Sequence, residues 1–322
     1  MVRADLLDCV DRALRLSCGQ PKKPFGGVQM VFIGDLFQLP PVVTRDEQAR
    51  FQSEYLSPYF FSAEALGGVP VKIIELQTVH RQKEQKFIDL LNGVRTGSLG
   101  PSDAAAWDDR HDPFFDPIDE SEYTVHLTTT NKMAATRNDH ELGKLEGKEH
   151  TLKALSMGEL GTRRMPSEAT LKVKQGARIM FTTNDPQRRW VNGSLGVIRK
   201  IKKNGLSKNP VLVVELESGK EVEVTQHKWE IFEYRDGGEG FEEGVIGSYS
   251  QYPIALAWAV TIHKAQGKTF DNVLIDVGWG AFAHGQMYVA LSRCTTLKGI
   301  TLLKPFKEKD VIVDQAVLDF MA

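Results

Sequence analysis

Apolar positions in the first hundred residues alternate between helical and strand spacing. Residues 1–16 carry an apolar stripe at helical spacing with charged residues between, which predicts an amphipathic helix. The continuous apolar run 28–33 has strand length and predicts a strand buried on both faces of a parallel sheet. A second short strand is predicted at residues 71–76, and helical spacing returns over residues 87–94.

Residues 123–131 repeat this order of strand, turn and helix. The strand predicted at residues 123–127 is followed by three threonines and Asn131, and a helical pattern comes next. This order is typical of another parallel α/β unit. Hydroxyls and the first amides of a helix can hold backbone phosphates of a nucleic acid. Alternatively, the threonines only cap the helix.

The pattern changes between residues 160 and 245, where short runs rich in branched side chains follow one another closely. The runs span residues 171–181, 196–201, 211–216 and 221–224, and the turns between them hold Gly176, Asn204-Gly205 and Ser218-Gly219. Such closely spaced strands predict a small β-barrel. Basic residues gather between Arg199 and Lys208, where they either face nucleic acid or form an ordinary solvated surface.

Residues 251–271 carry the densest group of candidate binding side chains. An apolar stripe predicts a helix here, and Gly267 stands where a helix ends in a left-handed turn. Four polar side chains would lie near the carboxyl end of this helix: Thr261, His263, Lys264 and Gln266. Such a group suggests a phosphate-facing loop. Alternatively, the helix dipole alone favours cations at this end.

The triplet Gly267-Lys268-Thr269 looks like the end of a Walker A phosphate loop but does not satisfy the full pattern. That pattern needs a glycine where Ile262 stands. The triplet also follows the predicted helix instead of opening one. We therefore assign no Walker loop to it.

Polar side chains also follow the other predicted elements. Asp35 and Gln38 come directly after the first strand, where open α/β sheets bind ligands, although Gly-Asp and Pro-Pro also occur in plain turns. Arg81 follows the second strand, and its guanidinium either reaches a phosphate or faces solvent. Gln286 and Arg293 are seven residues apart in a predicted helix, so they would share a face. From that face Arg293 would reach a neighbouring domain.

Composition is that of an ordinary globular chain. The 322 residues are 41% hydrophobic and 25% charged, and no apolar run approaches the ~20 residues that cross a bilayer. No secretion leader is evident, so we expect a cytoplasmic location, or a nuclear one in a eukaryote. Cys9, Cys18 and Cys294 lack metal or disulfide spacing, which argues for reduced thiols and against a structural zinc.

Net charge does not mark the chain as a nucleic-acid-binding protein, because −2 implies no overall basic surface. The charge is nevertheless uneven. Acidic side chains concentrate in residues 101–122 and basic ones in residues 199–208. Local patches of this kind can bind what the average charge repels.

The order of these pieces resembles the motor of superfamily-one 5′-to-3′ DNA helicases of the Pif and RecD types. The resemblance covers nearly the whole chain and rests on five motifs in family order, a combination that is very specific. They are Gly34-Asp35 with Gln38-Leu39-Pro40-Pro41 (motif III), His80-Arg81-Gln82 (motif IV), residues 127–131 (the phosphate-contacting threonine motif), residues 258–271 (motif V) and residues 285–293 (motif VI). Residues 181–196 also resemble the family's barrel insertion.

This resemblance implies an α/β fold with two RecA-like parallel-sheet motor cores and a small SH3-like β-barrel inserted in the second. Residues 1–80 would be an incomplete first core. Residues 81–159 and 246–322 would form the second core, and residues 160–245 the barrel.

The resemblance also implies roles for individual residues. Gln38 and Arg81 would sense the γ-phosphate of ATP, and Arg293 would act as an arginine finger. Asp35 would support the nucleotide and its Mg²⁺, and Gly267 and Gln286 would belong to the same nucleotide site. Single-stranded DNA would be the partner, held by Thr128, Thr129, Asn131, Thr261, His263 and Lys264.

One departure from the family pattern concerns the chemistry. The sequence contains neither a Walker A loop nor the Asp-Glu pair that holds Mg²⁺, which the family places ahead of residue 1. The complete family motor uses ATP with Mg²⁺, whereas we expect this chain alone to bind no nucleotide tightly and to hydrolyse ATP negligibly. Three hypotheses stay open: a helicase without its amino-terminal part, one half of a split motor whose ATPase half is another chain, and a non-catalytic module that binds single-stranded nucleic acid.

Overall fold

The computed structural model of the protein describes residues 2–115, 124–159, 165–203, 205, 209–236 and 241–322. The chain forms two compact units. The first consists of Met1–Thr129 and Ile262–Ala322, and the second of Thr130–Thr261. Among the described residues, no helix combines the length and apolar character needed to cross a membrane.

The regular elements of the described residues are numbered in chain order. The helices are α1 (Ala4–Ser17), α2 (Arg45–Glu54), α3 (Gln85–Thr96), α4 (Pro101–Asp108), α5 (Asn131–Lys144), α6 (Ile262–Ala265), α7 (Gln286–Leu291) and α8 (Gln315–Met321). The strands are β1 (Thr124–Thr128), β2 (His150–Lys153), β3 (Leu155–Gly158), β4 (Thr170–Val173), β5 (Arg178–Phe181), β6 (Leu195–Lys202), β7 (Val211–Leu216), β8 (Glu221–Val224), β9 (His227–Asp236), β10 (Phe241–Gln251), β11 (Ile254–Leu256), β12 (Ala259–Thr261), β13 (Asn272–Asp276) and β14 (Ile300–Leu302).

Parallel strands form the centre of the first unit. β13 pairs in parallel with β1 on one side and with β14 on the other. The register places Thr128 opposite Asp276, so β1 and β13 end at the same edge. Both strands consist almost wholly of buried residues, as expected for strands covered on two faces. The α/β fold with a parallel sheet is therefore confirmed, as are the predicted helices at α1 and α3.

The two strands predicted early in the chain are wrong. Residues 28–33 and 71–76 form neither helix nor strand, and neither segment pairs with a strand in the described part of the chain. Their apolar side chains are exposed instead of buried, with Ile33 94% and Leu76 88% exposed. An apolar run becomes a strand only where a neighbouring strand completes its hydrogen-bond ladder, and the described residues provide none here.

The second unit is built mainly from antiparallel strands. Five of them follow the order β11-β5-β6-β7-β8, while β3-β10-β9 and β2-β4 form two smaller sheets. Side chains such as Ile179, Phe181 and Leu212 form its buried core. The predicted turns at Gly176 and Gly219 are present, each with a positive φ. Asn204, Lys208 and the acidic residues 116–122 lie outside the described residues, and of the basic cluster Arg199 and Lys202 pair with glutamates.

A long helix was predicted within residues 251–266, and this prediction is wrong. The segment forms β11 and β12 and then the single turn α6. β11 pairs with β5, and the backbone of Ala259 in β12 exchanges two hydrogen bonds with the side-chain amide of Asn138 on α5. These tertiary partners override the local helical spacing of the apolar residues. Gly267 does adopt the left-handed conformation expected after a helix, with φ of 81°.

The loop between β5 and β6 is braced by a buried carboxylate. Asp185 accepts hydrogen bonds from Arg189 through Nε and Nη2, both at 2.8 Å, and from the Arg189 backbone amide at 3.0 Å. The Arg189 guanidinium also lies over the ring of Trp190, 4.5 Å from its centroid. Hydrogen bonding from Arg189 lowers the pKa of Asp185 from 3.8 to about 2.

We expect Asp185→Asn to lower the free energy of unfolding by about 1–3 kcal/mol at neutral pH, because charge-assisted hydrogen bonds are lost. Since the folded-state pKa of Asp185 is lowered, the stabilisation is present above about pH 4 and disappears as pH falls through about 2. Urea unfolding of both forms across this range measures the effect. The exposed Asp139→Asn on α5 is the matched control, and equal pH profiles for wild type and Asp185→Asn would contradict this role.

Candidate functional site

Two arginines distant in sequence meet in the first unit. Arg81 donates from Nη1 to the carbonyl oxygen of Ser292 at 3.0 Å, and the neighbouring Gln82 donates to the carbonyl oxygen of Cys294 at 2.8 Å. Residues 81 and 82 therefore hold the turn on both sides of Arg293. This contact brings together two of the residues that the sequence selected for phosphate recognition.

The Arg293 guanidinium is buried among uncharged acceptors. The residue is 1% exposed. Its Nε donates to the carbonyl of Val289 at 2.9 Å, Nη1 to the carbonyl of Lys268 at 3.2 Å and Nη2 to the hydroxyl of Ser292 at 2.8 Å. Burial, followed by repulsion from Arg81, lowers the pKa of Arg293 to about 10. Burial also lowers the pKa of Arg81.

This pair of guanidiniums favours an anionic ligand. Within the described residues, the hydrogen bonds of Arg81 and Arg293 go to carbonyl and hydroxyl oxygens, which carry no full charge. Two like charges that share a poorly hydrated place repel each other, and an anion between them removes that cost. Guanidinium geometry matches the oxygens of phosphate or carboxylate groups particularly well.

Asp35 and Gln38 form one hydrogen-bonded loop. The Asp35 carboxylate accepts from the Phe37 amide at 3.1 Å and from Gln38 Nε2 at 3.3 Å. It also accepts from the hydroxyl of Tyr288 on α7 at 3.2 Å, and Arg95 on α3 lies 3.5 Å away. Burial, together with the nearby Asp35 charge, raises the pKa of Tyr288 to about 12. The loop is thus tied to two helices of its own unit.

The turn after α6 connects this loop to Arg293. Gln266 Nε2 donates to Gln38 Oε1 at 3.0 Å. Two residues later, the Lys268 carbonyl accepts from Arg293. Gly267 lies between these contacts, and its left-handed φ of 81° permits the reversal. One short turn therefore contacts both Gln38 and Arg293.

The beginning of α7 packs closely against the same loop. His284 Nδ1 accepts from the Asp314 amide at 2.8 Å, which leaves Nε2 to donate to the Leu36 carbonyl at 2.8 Å. Gly285 has a left-handed φ of 66°, and a Cβ there would lie 2.2 Å from the carbonyl oxygen of Phe37. Only glycine allows this approach without displacing the backbone. The buried Gln286 accepts from the Phe282 amide at 3.0 Å, while its Nε2 has no hydrogen-bond partner within the described residues.

The helix that was predicted to carry both Gln286 and Arg293 is shorter than expected. α7 ends at Leu291, and Ser292 is its C-cap, so Arg293 lies in the following turn. The prediction of a shared helical face is therefore wrong. The hydrogen bonds from Arg81 and Gln82 hold the chain in that turn, and the described partners of Arg293 all lie in the first unit.

The residues that the sequence selected for binding single-stranded DNA are divided between the two units. In the first, Thr128 and Thr129 are buried, whereas His263 and Lys264 at α6 are exposed. Partial burial of the imidazole lowers the pKa of His263. In the second unit, Thr261 is buried and Asn131 is exposed. Thr130 caps α5 by accepting from the Met133 amide at 3.3 Å, as the capping alternative predicted for this turn.

Sequence reasoning missed two residues that orient the candidate site, Tyr288 and Arg95, which hold Asp35. It named Gln266 only as a candidate for phosphate binding and not as the partner of Gln38. Gln266 and Tyr288 fell inside recognised motifs, but neither spacing nor composition shows which side chain reaches which partner. Arg95 looks like an ordinary basic residue in the last turn of a helix, and nothing in the sequence pattern marks it.

The parallel sheet defines an α/β protein, and the paired arginines have the chemistry that suits an anionic ligand. The family model for PIF1-like helicases matches residues 1–104. The human ATP-dependent DNA helicase PIF1 is 34% identical over 327 residues, which cover 100% of this chain and 47% of the human protein. The Psychrobacter ATP-dependent DNA helicase Pif1 is 31% identical, over 94% of this chain and 52% of that protein.

Solved structures give the same relationship. Bacteroides Pif1 bound to single-stranded DNA has a TM-score of 0.79 and 33% identity, over 99% of this chain and 72% of that one. Bacteroides Pif1 in complex with ADP-AlF3 and single-stranded DNA has a TM-score of 0.80 at the same identity, over 100% and 72%. The chain belongs to the PIF1-like helicase family. It spans about half the length of the human and Psychrobacter relatives.

Proposed function

We propose that this chain is the γ-phosphate-sensing and strand-binding portion of an ATP-dependent DNA helicase that moves 5′-to-3′ on single-stranded DNA. The observation that carries the proposal is the pair formed by the half-buried Arg81 and the buried Arg293, whose hydrogen bonds within the described residues go to uncharged oxygens. Family membership supports it, because the relatives are ATP-dependent DNA helicases and Bacteroides Pif1 has been solved with single-stranded DNA.

The residues present suit a nucleotide γ-phosphate. Arg81 and Gln38 would contact its oxygens, and Arg293 would offset the charge that develops on the transferred group. Gln286 supports this placement, because its side-chain amide is buried at the start of α7 and neither N–H donor of its Nε2 has a partner among the described residues. Gly267 would let the neighbouring turn approach the nucleotide without steric hindrance.

The residues present do not suit a complete Mg²⁺ site. Asp35 is a carboxylate near enough to Arg293 for its charge to act on that guanidinium, and it already bonds to Gln38 and Tyr288. The 322 residues also contain no Walker A sequence to hold the β-phosphate. We therefore propose that the phosphate loop and the Mg²⁺-binding acids come from polypeptide outside these residues, either as part of the same protein or as a separate chain.

The exposed segments 28–33 and 71–76 support an incomplete first core. Each presents apolar side chains and has no strand partner in the described residues. Segments of this kind need neighbouring strands to satisfy their backbone and to cover their side chains. We propose that the missing part supplies those strands, that the chain contributes to two RecA-like cores, and that the antiparallel strands within residues 160–245 form an SH3-like barrel. A DNA substrate favours the cytoplasm of a bacterium or the nucleus of a eukaryote.

Strand binding is assigned to the turn around α6 and the end of β1. Lys264 and Lys268 are close enough to repel each other, and burial followed by Lys264 lowers the pKa of Lys268 to about 8. Paired cations of this kind attract successive phosphates of a polynucleotide. In the first unit, His263, Thr128 and Thr129 would add to these contacts. In the second unit, Asn131 and Thr261 are proposed separately as strand-binding residues.

We expect Lys264→Ala to reduce the slope of log affinity against log salt by about 0.7, the value for one neutralised phosphate of a single strand. Phosphates bind the protonated lysine, so affinity is full below about pH 8 and falls as pH rises through it. Lys268→Ala should flatten this pH dependence. Fluorescence anisotropy with oligo-dT measures both effects, and Lys22→Ala is the control. Unchanged slopes and pH profiles in both variants would remove these lysines from the strand site.

One titration separates the helicase portion from a non-catalytic binding module. We expect oligo-dT affinity of the chain mixed with a phosphate-binding half to change when ATP and Mg²⁺ are added, because nucleotide closes a motor around its strand. A non-catalytic module would bind the strand with an affinity indifferent to ATP in the same mixture. Copurification of an ATPase subunit with the tagged chain would identify a split motor.

A further inference from the structure

A fully exposed tryptophan lies in the loop between β13 and α7. Trp279 is 103% exposed, and Phe282 in the same loop is 62% exposed. Burial of an aromatic ring is strongly favourable, so a fully exposed tryptophan contributes nothing to folding and keeps its whole ring area available to a ligand. The feature therefore requires an explanation outside the packing of the unit.

The backbone of this loop is held in a defined turn. The Gly278 amide donates to Asp276 Oδ1 at 2.8 Å, and the Gly280 amide donates to the Val277 carbonyl at 3.0 Å. The Ala281 amide donates to the buried Asp310 at 3.2 Å. Trp279 is thus presented to solvent by an ordered turn, which reduces the entropy that a bound ligand must overcome.

This turn begins at the edge of the parallel sheet, beside the threonines that we assign to binding single-stranded DNA. Thr128 is paired with Asp276 at the ends of β1 and β13, and Trp279 follows three residues after Asp276. The Thr129 hydroxyl donates to the Val277 carbonyl at 3.4 Å, so the segments that follow β1 and β13 are in direct contact. Single-stranded DNA whose phosphate backbone contacts Thr129 would therefore pass next to the indole of Trp279.

A cation accompanies the indole. Lys304 Nζ lies 5.9 Å from the centroid of the Trp279 ring and donates to the Gly278 carbonyl. An aromatic face next to an ammonium matches a nucleotide unit, in which a flat base is attached to a negatively charged phosphate. A protein partner would find only one small aromatic area here, which is less than a stable interface needs.

From this arrangement we propose that Trp279 stacks on a nucleobase of the bound single strand and that Lys304 contacts the adjacent phosphate. The inference rests on the proposed function and adds to it a contact with a base, whereas the lysines and threonines already assigned contact only the backbone. The stacking is independent of sequence, because every base offers a π face.

The test measures affinity of the full chain for oligo-dT and for an abasic oligonucleotide of equal length. Trp279→Ala should weaken oligo-dT binding about tenfold, within the range for one base–aromatic stack, and leave the salt slope unchanged. It should leave abasic binding unchanged. Trp279→Phe should retain most of the affinity, whereas Lys304→Ala should lower the salt slope by about 0.7.

The exposed Phe114, which is 91% exposed, provides the matched control, and Phe114→Ala should bind like wild type. Because Trp279 has no buried surface to lose, its variants should unfold at the wild-type temperature. Equal oligo-dT affinity of Trp279→Ala and wild type, with Lys264→Ala still reducing the slope, overturns the stacking proposal alone. Equal loss on oligo-dT and abasic strands also overturns it. Failure of wild type to bind any strand overturns the proposed function and this inference with it.

Discussion

Replacing Arg293 with alanine is expected to lower the ATPase kcat of the completed motor by about 10³-fold or more, the range for an arginine that stabilises phosphoryl transfer. By the completed motor we mean this chain together with the phosphate-binding half that we propose. Arg293→Lys should recover little, because an ammonium cannot reproduce the planar fork of donors. Steady-state phosphate release with saturating single-stranded DNA measures the effect.

Two controls accompany the Arg293 variants. Arg50 on α2 is an arginine whose side chain is 86% exposed, and Arg50→Ala should retain full activity. Thermal unfolding of each variant shows how much of the activity loss comes from lost stability, since Arg293 also donates hydrogen bonds to the carbonyls of Val289 and Lys268. A folded Arg293→Ala protein within about fivefold of wild type in kcat would contradict the assigned role.

Gly285→Ala should be the most damaging single methyl addition at the site. The left-handed φ costs about 1–3 kcal/mol for a residue with a Cβ, and the contact with the Phe37 carbonyl adds the cost of moving the backbone. We expect a total loss of about 3 kcal/mol in the free energy of unfolding. Because that backbone leads directly to Gln38, activity of the completed motor should also fall.

Gly267 is the matched control for this variant. Its φ of 81° is also left-handed, but a Cβ there would meet nothing within 4 Å. Gly267→Ala should therefore cost only the conformational strain, about 1 kcal/mol at the lower end of that range. Urea unfolding of the two variants gives the comparison. If both lose the same stability, the close contact between Gly285 and the Gln38 loop contributes nothing.

Local pattern was sufficient for the parts of the fold whose partners are present. The strand β1 and the helices α1 and α3 followed from apolar spacing, because their neighbours lie within the described residues. Residues 28–33 show the same kind of pattern but do not form a strand, since no strand within the described residues pairs with them. The helix predicted near residues 254–261 did not form, for the opposite reason. Here β5 and α5 supply hydrogen-bond partners to the backbone that a helical segment could not use.

The candidate site was only partly predictable. Motif order selected Gln38, Arg81 and Arg293, and the structure places the latter two together and ties the first to the adjoining turn through Gln266. The contacts that orient them depend on side chains from distant elements, which spacing cannot relate. Trp279 was missed because a single aromatic residue between glycines forms no pattern and becomes informative only when its exposure is known.

Phosphate release by the purified chain alone, saturated with single-stranded DNA, tests the central claim most directly. We propose that these 322 residues contain the phosphate-sensing arginines and that the groups that bind the β-phosphate and Mg²⁺ lie outside them. We therefore expect wild type and Arg293→Ala to give the same background rate, with no stimulation by single-stranded DNA. Hydrolysis that the strand stimulates and that Arg293→Ala abolishes would contradict it.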